Sequence, residues 1–511
     1  MFIITYYFKK RNIILLSFIF VLFLEAKLQK KIFISKVFGM SLGMLLLNIS
    51  GICYNIYISS KLGAEGIGMF HLVMSVYSLA LTIAVSGISL TATRLISDMP
   101  SPLAVKCADS IVIRCIRLIM LPAGFAFFAL YFGSGFISQR ILHNPDCALC
   151  LKLMAPTLMF SAVSSVINGY FTSFGKVASI CFGKLISESV IWLSAFSLFK
   201  IFPYEKIYMA VVAALCMGVG AECLWNVCLW RKSRSFLYCS GGVTYREIIN
   251  LCAPIAVGSY LRTGLYSLEN LLIPSMLALF GTQKPLGTYG TVKGMTLSVL
   301  MFPTVFISAF NLLIVPEISR RRSLGYKNGI KYISTISLEY VLKFAFLISA
   351  IFFKWHSEIA SSFFPGTDAG IYLGFLFLFP VFVFCDSVVD SILKGMDCQL
   401  TSLKINIIDS VCRVIFVLIF IPRFGIVAYI GIMYLSEIVN LSFSYIKLRK
   451  VSNVQFPFKT GVLIPFLCAF VSIYVMKFFP HLNVWAGICV MTFVYMVGLC
   501  IFSKIKELVE K

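Results

Sequence analysis

The stretch LKINIIDSVCRVIFVLIFI (403–421), then Pro422-Arg423, then FGIVAYIGIMYLSEIVNLSFSYI (424–446), decides the fold. Each half is a mostly apolar run close to the ~20 residues that carry a helix across a bilayer. A proline and an arginine close the first run before the second begins, which reads as two membrane passes joined by a tight turn. Inside these runs lie Asp409, Arg413 and Glu437, ionisable groups that lipid does not tolerate without a partner.

The same pattern repeats along the chain. Apolar runs closed by charges, Pro or Gly fall at 33–59, 66–93, 108–133, 150–172, 176–200 and 207–230. They continue at 247–273, 288–315, 331–354, 369–393, 403–421, 424–446, 459–479 and 483–503. The expected fold class is therefore an all-α polytopic membrane protein of about 14 transmembrane helices. Composition agrees: of 511 residues, 59% are hydrophobic and 13% charged, with a mean hydropathy of +0.94. Soluble domains carry roughly 25% charged residues, so a string of soluble domains is excluded.

The net charge of +23 would suggest nucleic acid in a soluble protein, but its placement gives it another meaning. With the segment before 33 taken as inside, 25 Lys and Arg from Lys27 onward fall at inside segments and 9 at outside ones. The bias predicts a cytoplasmic N-terminus and C-terminus. No nucleic-acid partner is expected. Residues 13–24 are apolar but short and flanked by basic residues, so 1–32 reads as an interfacial or over-long N-terminal extension, with an extra span as the alternative.

The 17 cysteines, many inside apolar runs, read as small hydrophobes rather than as a disulfide framework. Cys147 and Cys150 have a tempting spacing but no second pair to complete a metal site. His71, His143, His356 and His481 lack metal-like spacing. No connection exceeds about sixteen residues, and none carries a phosphate loop, a zinc motif or a nucleophile–base pair. The expectation is a non-enzyme with no cofactor and no metal.

Self-similarity appears at an offset of about 220 residues. Gly68-Met-Phe-His opens a span ending Arg94-Leu-Ile-Ser97, and corresponds to Gly287-Thr-Tyr-Gly, whose span ends Pro316-Glu-Ile-Ser319. Ser187-Glu188-Ser189-Val190 corresponds to Ile408-Asp409-Ser410-Val411. Span 2 thus falls on span 8 and span 5 on span 11. Six spans per copy is an even number, which gives the parallel-repeat plan of an alternating-access transporter with its site between lobes. The expected organisation is an N-lobe at 33–230, a cytoplasmic linker at 231–246, a C-lobe at 247–446, and a final pair of spans with a tail at 447–511.

Many ionisable residues sit away from span edges. The cations are Arg114, Arg117, Lys184, Arg262, Lys293, Lys343 and Arg413. The acids are Glu188, Glu222, Glu269, Glu339, Asp386, Asp390, Asp409 and Glu437. Lys184–Glu188, Asp409–Arg413 and Glu339–Lys343 are four apart, so local helix pairs compete with a functional reading. Arg114 and Arg117 have the alternative of snorkelling to the inner interface. Asp386, Asp390 and Lys394 form one stripe, a candidate coupling-ion site together with Asp409 and Glu188. Arg262 has no acid three or four residues away and shares a helix face with Glu269, which ranks it first as a cavity cation.

The segment KLGAEGIGMFHLVMSVYSLALTIAVSGISLTATRLISD (61–98) resembles the stage V sporulation protein B family. So do GTYGTVKGMTLSVLMFPTVFISAFNLLIVPEIS (287–319), DSVVDSILKGMD (386–397) and NIIDSVCRVIFVLIFIPRFGIVAYIGIMYLSEIVN (406–440). The resemblance covers roughly residues 33–450. It implies a two-lobed member of the multidrug/oligosaccharidyl-lipid/polysaccharide exporter superfamily, with a central cationic cavity that binds a lipid-linked saccharide of the undecaprenyl diphosphate type within membrane lipid. It also implies a bacterial plasma-membrane location and Na+ or H+ as a coupling ion. Arg94 and Lys293 match the family's basic positions in spans 2 and 8. Where the family shows two arginines in span 1, this chain has Asn48 and Asn55, which donate hydrogen bonds but bring no charge. The expected substrate-binding set is Arg262, Lys293, Arg94, Asn48, Asn55 and Glu269. The leading function is a flippase for a cell-wall precursor, in the setting of sporulation. An ion-coupled multidrug or metabolite exporter is the alternative, and a non-transporting scaffold for wall synthesis the third.

Overall fold

The computed structural model describes residues 31–509 except 86, 100, 143, 203–206, 234–242 and 480–481. The segment 13–24, His143, His481 and most of the expected linker therefore lie outside the described residues. The described elements are helices α1 (Lys31–Val85), α2 (Ile88–Ser97), α3 (Ser101–Phe136), α4 (Cys147–Ser173), α5 (Val177–Ile201) and α6 (Ile207–Ser233). They continue as α7 (Tyr245–Leu279), α8 (Pro285–Gly290), α9 (Leu297–Leu300), α10 (Thr304–Ser323), α11 (Lys327–Phe363) and α12 (Ala369–Phe375). The last are α13 (Phe379–Gly395), α14 (Gln399–Ser452), α15 (Ile464–Val475) and α16 (Val484–Val509).

Among the described residues, ten helical stretches are long and apolar enough to cross a membrane, and twelve if two bent helix pairs count as one span each. Two of these stretches must cross twice. α1 has 55 residues and α14 has 54, and a straight helix of that length would run about 80 Å, far beyond a ~30 Å hydrocarbon core. Each breaks at a glycine in the left-handed region, Gly63 (φ 69°) and Gly425 (φ 60°), where a residue with a Cβ is strained. Counting both halves of each gives fourteen passes among the described residues, and the fold is an all-helical polytopic membrane protein. The turn read at Pro422-Arg423 lies two residues further on: helix continues through the proline and breaks at Gly425.

The matched spans 2 and 8 are both interrupted. Span 2 breaks at Gly87 (φ 78°) between α1 and α2. Span 8 runs α8, a π-turn at Thr291–Thr296, α9 and α10, with a 57° bend before α10. Helices α3 to α6 pack on one another and on α1 and α2, while α10, α11, α13 and α14 form a second set onto which α7 packs. α15 and α16 pair with each other and lie on α11. Cys147 and Cys150 are buried free thiols in the first set. Cys107 is disulfide-bonded, so the reading of the cysteines as simple hydrophobes fails at that position.

Candidate functional site: a polar cavity between the two helix sets

The two sets meet most closely near Gly63 and Pro285, on the side the charge pattern marks as outside. α1 crosses α8 with backbone on backbone. A Cβ on Gly290 would lie 2.0 Å from the Ala64 carbonyl oxygen, and one on Gly68 would lie 2.4 Å from that of Leu286. Lys284 Nζ sits 3.7 Å from Glu65 Oε1 at the rim of this crossing. Deeper in, Ser59 Oγ donates to the Gly294 carbonyl (3.2 Å) and Asn55 Nδ2 to Ser298 Oγ (2.9 Å). Ser267 on α7 donates to the Ser75 carbonyl on α1 (2.8 Å). Small residues allow this approach, and the hydrogen bonds satisfy polar groups that lipid would leave unpaired.

Past that closure the sets part around a cavity of about 610 Å3. Its wall comes from α1 (Leu47, Asn48, Gly51, Ile52), α5 (Ile180, Cys181, Lys184, Ser187, Glu188), α6 (Glu222) and the first turns of α10 (Thr304, Val305, Ser308). The fold places these together because Lys184, Ser187 and Glu188 share one face of α5 at three- and four-residue spacing. Glu188 Oε2 accepts a hydrogen bond from Ser50 Oγ (3.4 Å), which in turn accepts from Trp192 Nε1 (3.0 Å). Tyr54 packs edge-on against Trp192 at 5.3 Å and stiffens that corner. The expected Lys184–Glu188 pair does not form an ion pair, and Glu222 forms none either among the described residues. The charged groups on this wall are one ammonium and two carboxylates.

A second opening, apolar and of about 320 Å3, lies between α2, α3 and α7, lined by Ile88, Leu118, Leu121, Pro122, Val257 and Tyr260 among others. It has the chemistry to hold hydrocarbon rather than a head group.

The residues expected at the site are dispersed. Asn48 is on the cavity wall, and Asn55 is engaged with Ser298 at the contact between sets. Arg94 is exposed in the last turn of α2. Arg262 is exposed on α7 and forms no ion pair among the described residues. Glu269, on the same face of α7, is buried and accepts from Arg413 Nη2 of α14 at 2.6 Å. Lys293 lies in the π-turn with its ammonium 5.0 Å from the Tyr266 ring centroid. None of Arg94, Arg262 and Lys293 lines the polar cavity. The departure has a plain cause: the seven-residue spacing puts Arg262 and Glu269 on one face, but only Glu269 stands opposite a cation on α14.

The acids considered for ion coupling also separate. Asp386 Oδ2 accepts from Asn440 Nδ2 (3.1 Å), which also donates to Asn406 Oδ1 (3.1 Å). Asn406 contacts Ser402, whose hydroxyl donates to Asp390 Oδ1 at 2.7 Å, so one hydrogen-bond chain joins α13 to both halves of α14. Asp409 is held by Ser436 Oγ at 2.6 Å rather than by Arg413. Glu188 belongs to the cavity instead. Asn406, Asn440, Ser402 and Ser436 carry this network. As neutral residues inside apolar runs, they gave no signal in the sequence beyond their polarity.

Residues 33–263 match the family described as polysaccharide biosynthesis protein. The chain is 20% identical to stage V sporulation protein B of Bacillus subtilis (strain 168) over 487 residues, which covers 89% of this chain and 93% of that one. Its fold superposes on an inward closed conformation of the lipid II flippase MurJ with a TM-score of 0.67 at 14% identity, covering 94% of this chain and all of the other. An inward-facing multidrug resistance transporter of the MATE family superposes with a TM-score of 0.60 at 14% identity, covering 86% and 98%. The chain thus resembles stage V sporulation protein B along most of its length and carries the fold seen in solved structures of a lipid II flippase and of a multidrug resistance transporter.

Proposed function

We propose that the protein is a flippase that moves a lipid-linked saccharide outward across the bacterial plasma membrane by alternating access. The single observation that carries this reading is a polar cavity between two helix sets that are closed together on one side by the α1–α8 crossing. A head group can enter such a cavity from the cytoplasmic side while its hydrocarbon chain stays in lipid or in the apolar opening beside α2, α3 and α7. Opening the crossing and closing the cavity would then release the head group outside. The distribution of Lys and Arg supports cytoplasmic N- and C-termini. Kinship with sporulation proteins supports a role in spore envelope synthesis.

An ion-coupled exporter of soluble compounds is the second reading, and the two carboxylates on the cavity wall favour it. Reconstitution separates the two. In proteoliposomes, fluorescent undecaprenyl diphosphate saccharide should reach the opposite leaflet faster than in empty vesicles. Equal rates, with uptake of cationic dyes driven by a Na+ or H+ gradient, would select the exporter.

A further inference from the structure

Resting on the flippase reading, we infer that the head group taken by the inter-set cavity carries a free amine beside its anionic linkage. The inference comes from the charges that face this space. A polyanionic diphosphate calls for a surplus of fixed cations, yet the wall offers Lys184 alone against Glu188 and Glu222. Among the described residues neither glutamate forms an ion pair; Glu188 takes the 3.4 Å hydrogen bond from Ser50 and Glu222 one from Asn168. Asn48 supplies a neutral donor on the same wall.

An ionised group within the membrane is costly unless something offsets it. Arg413 does so for Glu269 and Lys343 for Glu339. Among the described residues Glu188 has no cation of its own, and Glu222 has a hydrogen bond from Asn168 and the attraction of Lys184. Two carboxylates thus share one ammonium, and the rest of the offset falls to the ligand. A bare diphosphate would meet two carboxylates at close range and be repelled. A head group with an ammonium near its phosphates satisfies both signs: Lys184 receives the anion and the two glutamates hold the amine.

Spacing narrows the class. Lys184 and Glu188 are one turn apart on α5, a rise of about 6 Å. That separation suits an amine on the first sugar, adjacent to the linkage, better than one at the far end of a long chain. The ligand class is therefore a polyprenyl diphosphate bearing an unacetylated amino sugar.

The test uses the full chain in proteoliposomes with two fluorescent probes, undecaprenyl diphosphate glucosamine and its N-acetylated counterpart. The amine probe should be moved about tenfold faster or bound about tenfold tighter, a difference of about 1.4 kcal/mol. Glu188→Gln with Glu222→Gln should abolish that preference, whereas Lys184→Met should depress both probes. Folding of the variants is checked by monodisperse elution, and the wild-type probe comparison decides the matter if they fail to fold. Equal handling of the two probes by wild type, or a preference that survives the double variant, would overturn the inference and leave the flippase reading standing. Movement of neither probe by folded protein would remove both.

Discussion

Arg413 shows how far a single residue can depart from its sequence spacing. Four residues from Asp409, it invites a local helix pair, but its guanidinium reaches across to Glu269 at 2.6 Å and Asp409 turns to Ser436. The Glu269 side chain is 2% exposed and that of Arg413 18%, so the pair is withdrawn from solvent and spans α7 and α14. Removing one partner strands a buried charge, which typically costs 3–5 kcal/mol. Arg413→Ala should therefore lower the thermal midpoint of the detergent-solubilised protein sharply. Arg413→Met with Glu269→Met should recover much of the loss, because replacing both members with apolar groups is often close to neutral. Equal damage from the single and double variants would mean that the pair does more than hold α7 on α14. By contrast, Glu339 and Lys343 do form the i,i+4 pair their spacing suggests, at 2.7 Å. Both pairs are equally visible as sequence spacing, and only the third helix decides between them.

At the scale of elements, the apolar runs were legible because lipid imposes length and composition on any helix that crosses it. The turns were less so. Proline 422 looked like a helix stop, but Gly425 is where α14 breaks. A positive φ with an extended ψ, as at Gly63 and Gly425, costs a residue with a Cβ roughly 1–3 kcal/mol, and proline at such depth can be carried inside a helix by neighbouring groups. Gly63 and Gly425 allow this cost to be separated from packing. A Cβ on Gly63 would meet nothing within 4 Å, whereas one on Gly425 would lie 2.6 Å from the Phe280 ring. Gly63→Ala should show the conformational penalty alone, about 1–3 kcal/mol. Gly425→Ala should show that penalty and a clash, and Phe280→Leu should relieve only the second part. Thermal unfolding of the three variants measures the split. An equal loss at both glycines would show that Phe280 yields freely.

For the molecule as a whole, the 220-residue offset matches span 2 to span 8, and these two spans are both interrupted, at Gly87 and at the bend before α10. The site could not be read so directly. Arg262 earned its rank by lacking a helical partner, but exposure on α7 and distance from the cavity wall are properties of packing, which no spacing along one helix records. The residues that do meet at the cavity come from α1, α5, α6 and α10, separated by hundreds of positions. The same packing sets which side is shut. Gly290 and Gly68 bring α1 and α8 so near that an added methyl at position 290 would stand 2.0 Å from the Ala64 carbonyl oxygen and 2.7 Å from the Gly68 nitrogen. Close-packed helices cannot absorb such an overlap locally and must move apart, by roughly an ångström or more. Gly290→Ala should therefore loosen the closure that Lys284–Glu65 and Asn55–Ser298 complete. With the exposed Cys228 and Cys500 first replaced by Ser, a Ser298→Cys reporter should resist a membrane-impermeant maleimide added outside the cell. Adding Gly290→Ala should make it react several-fold faster while slowing transport, because a protein held open on one side cannot reload on the other. If the reporter stays unreactive in a folded Gly290→Ala protein, the glycine crossing is a packing detail and the outer closure lies elsewhere.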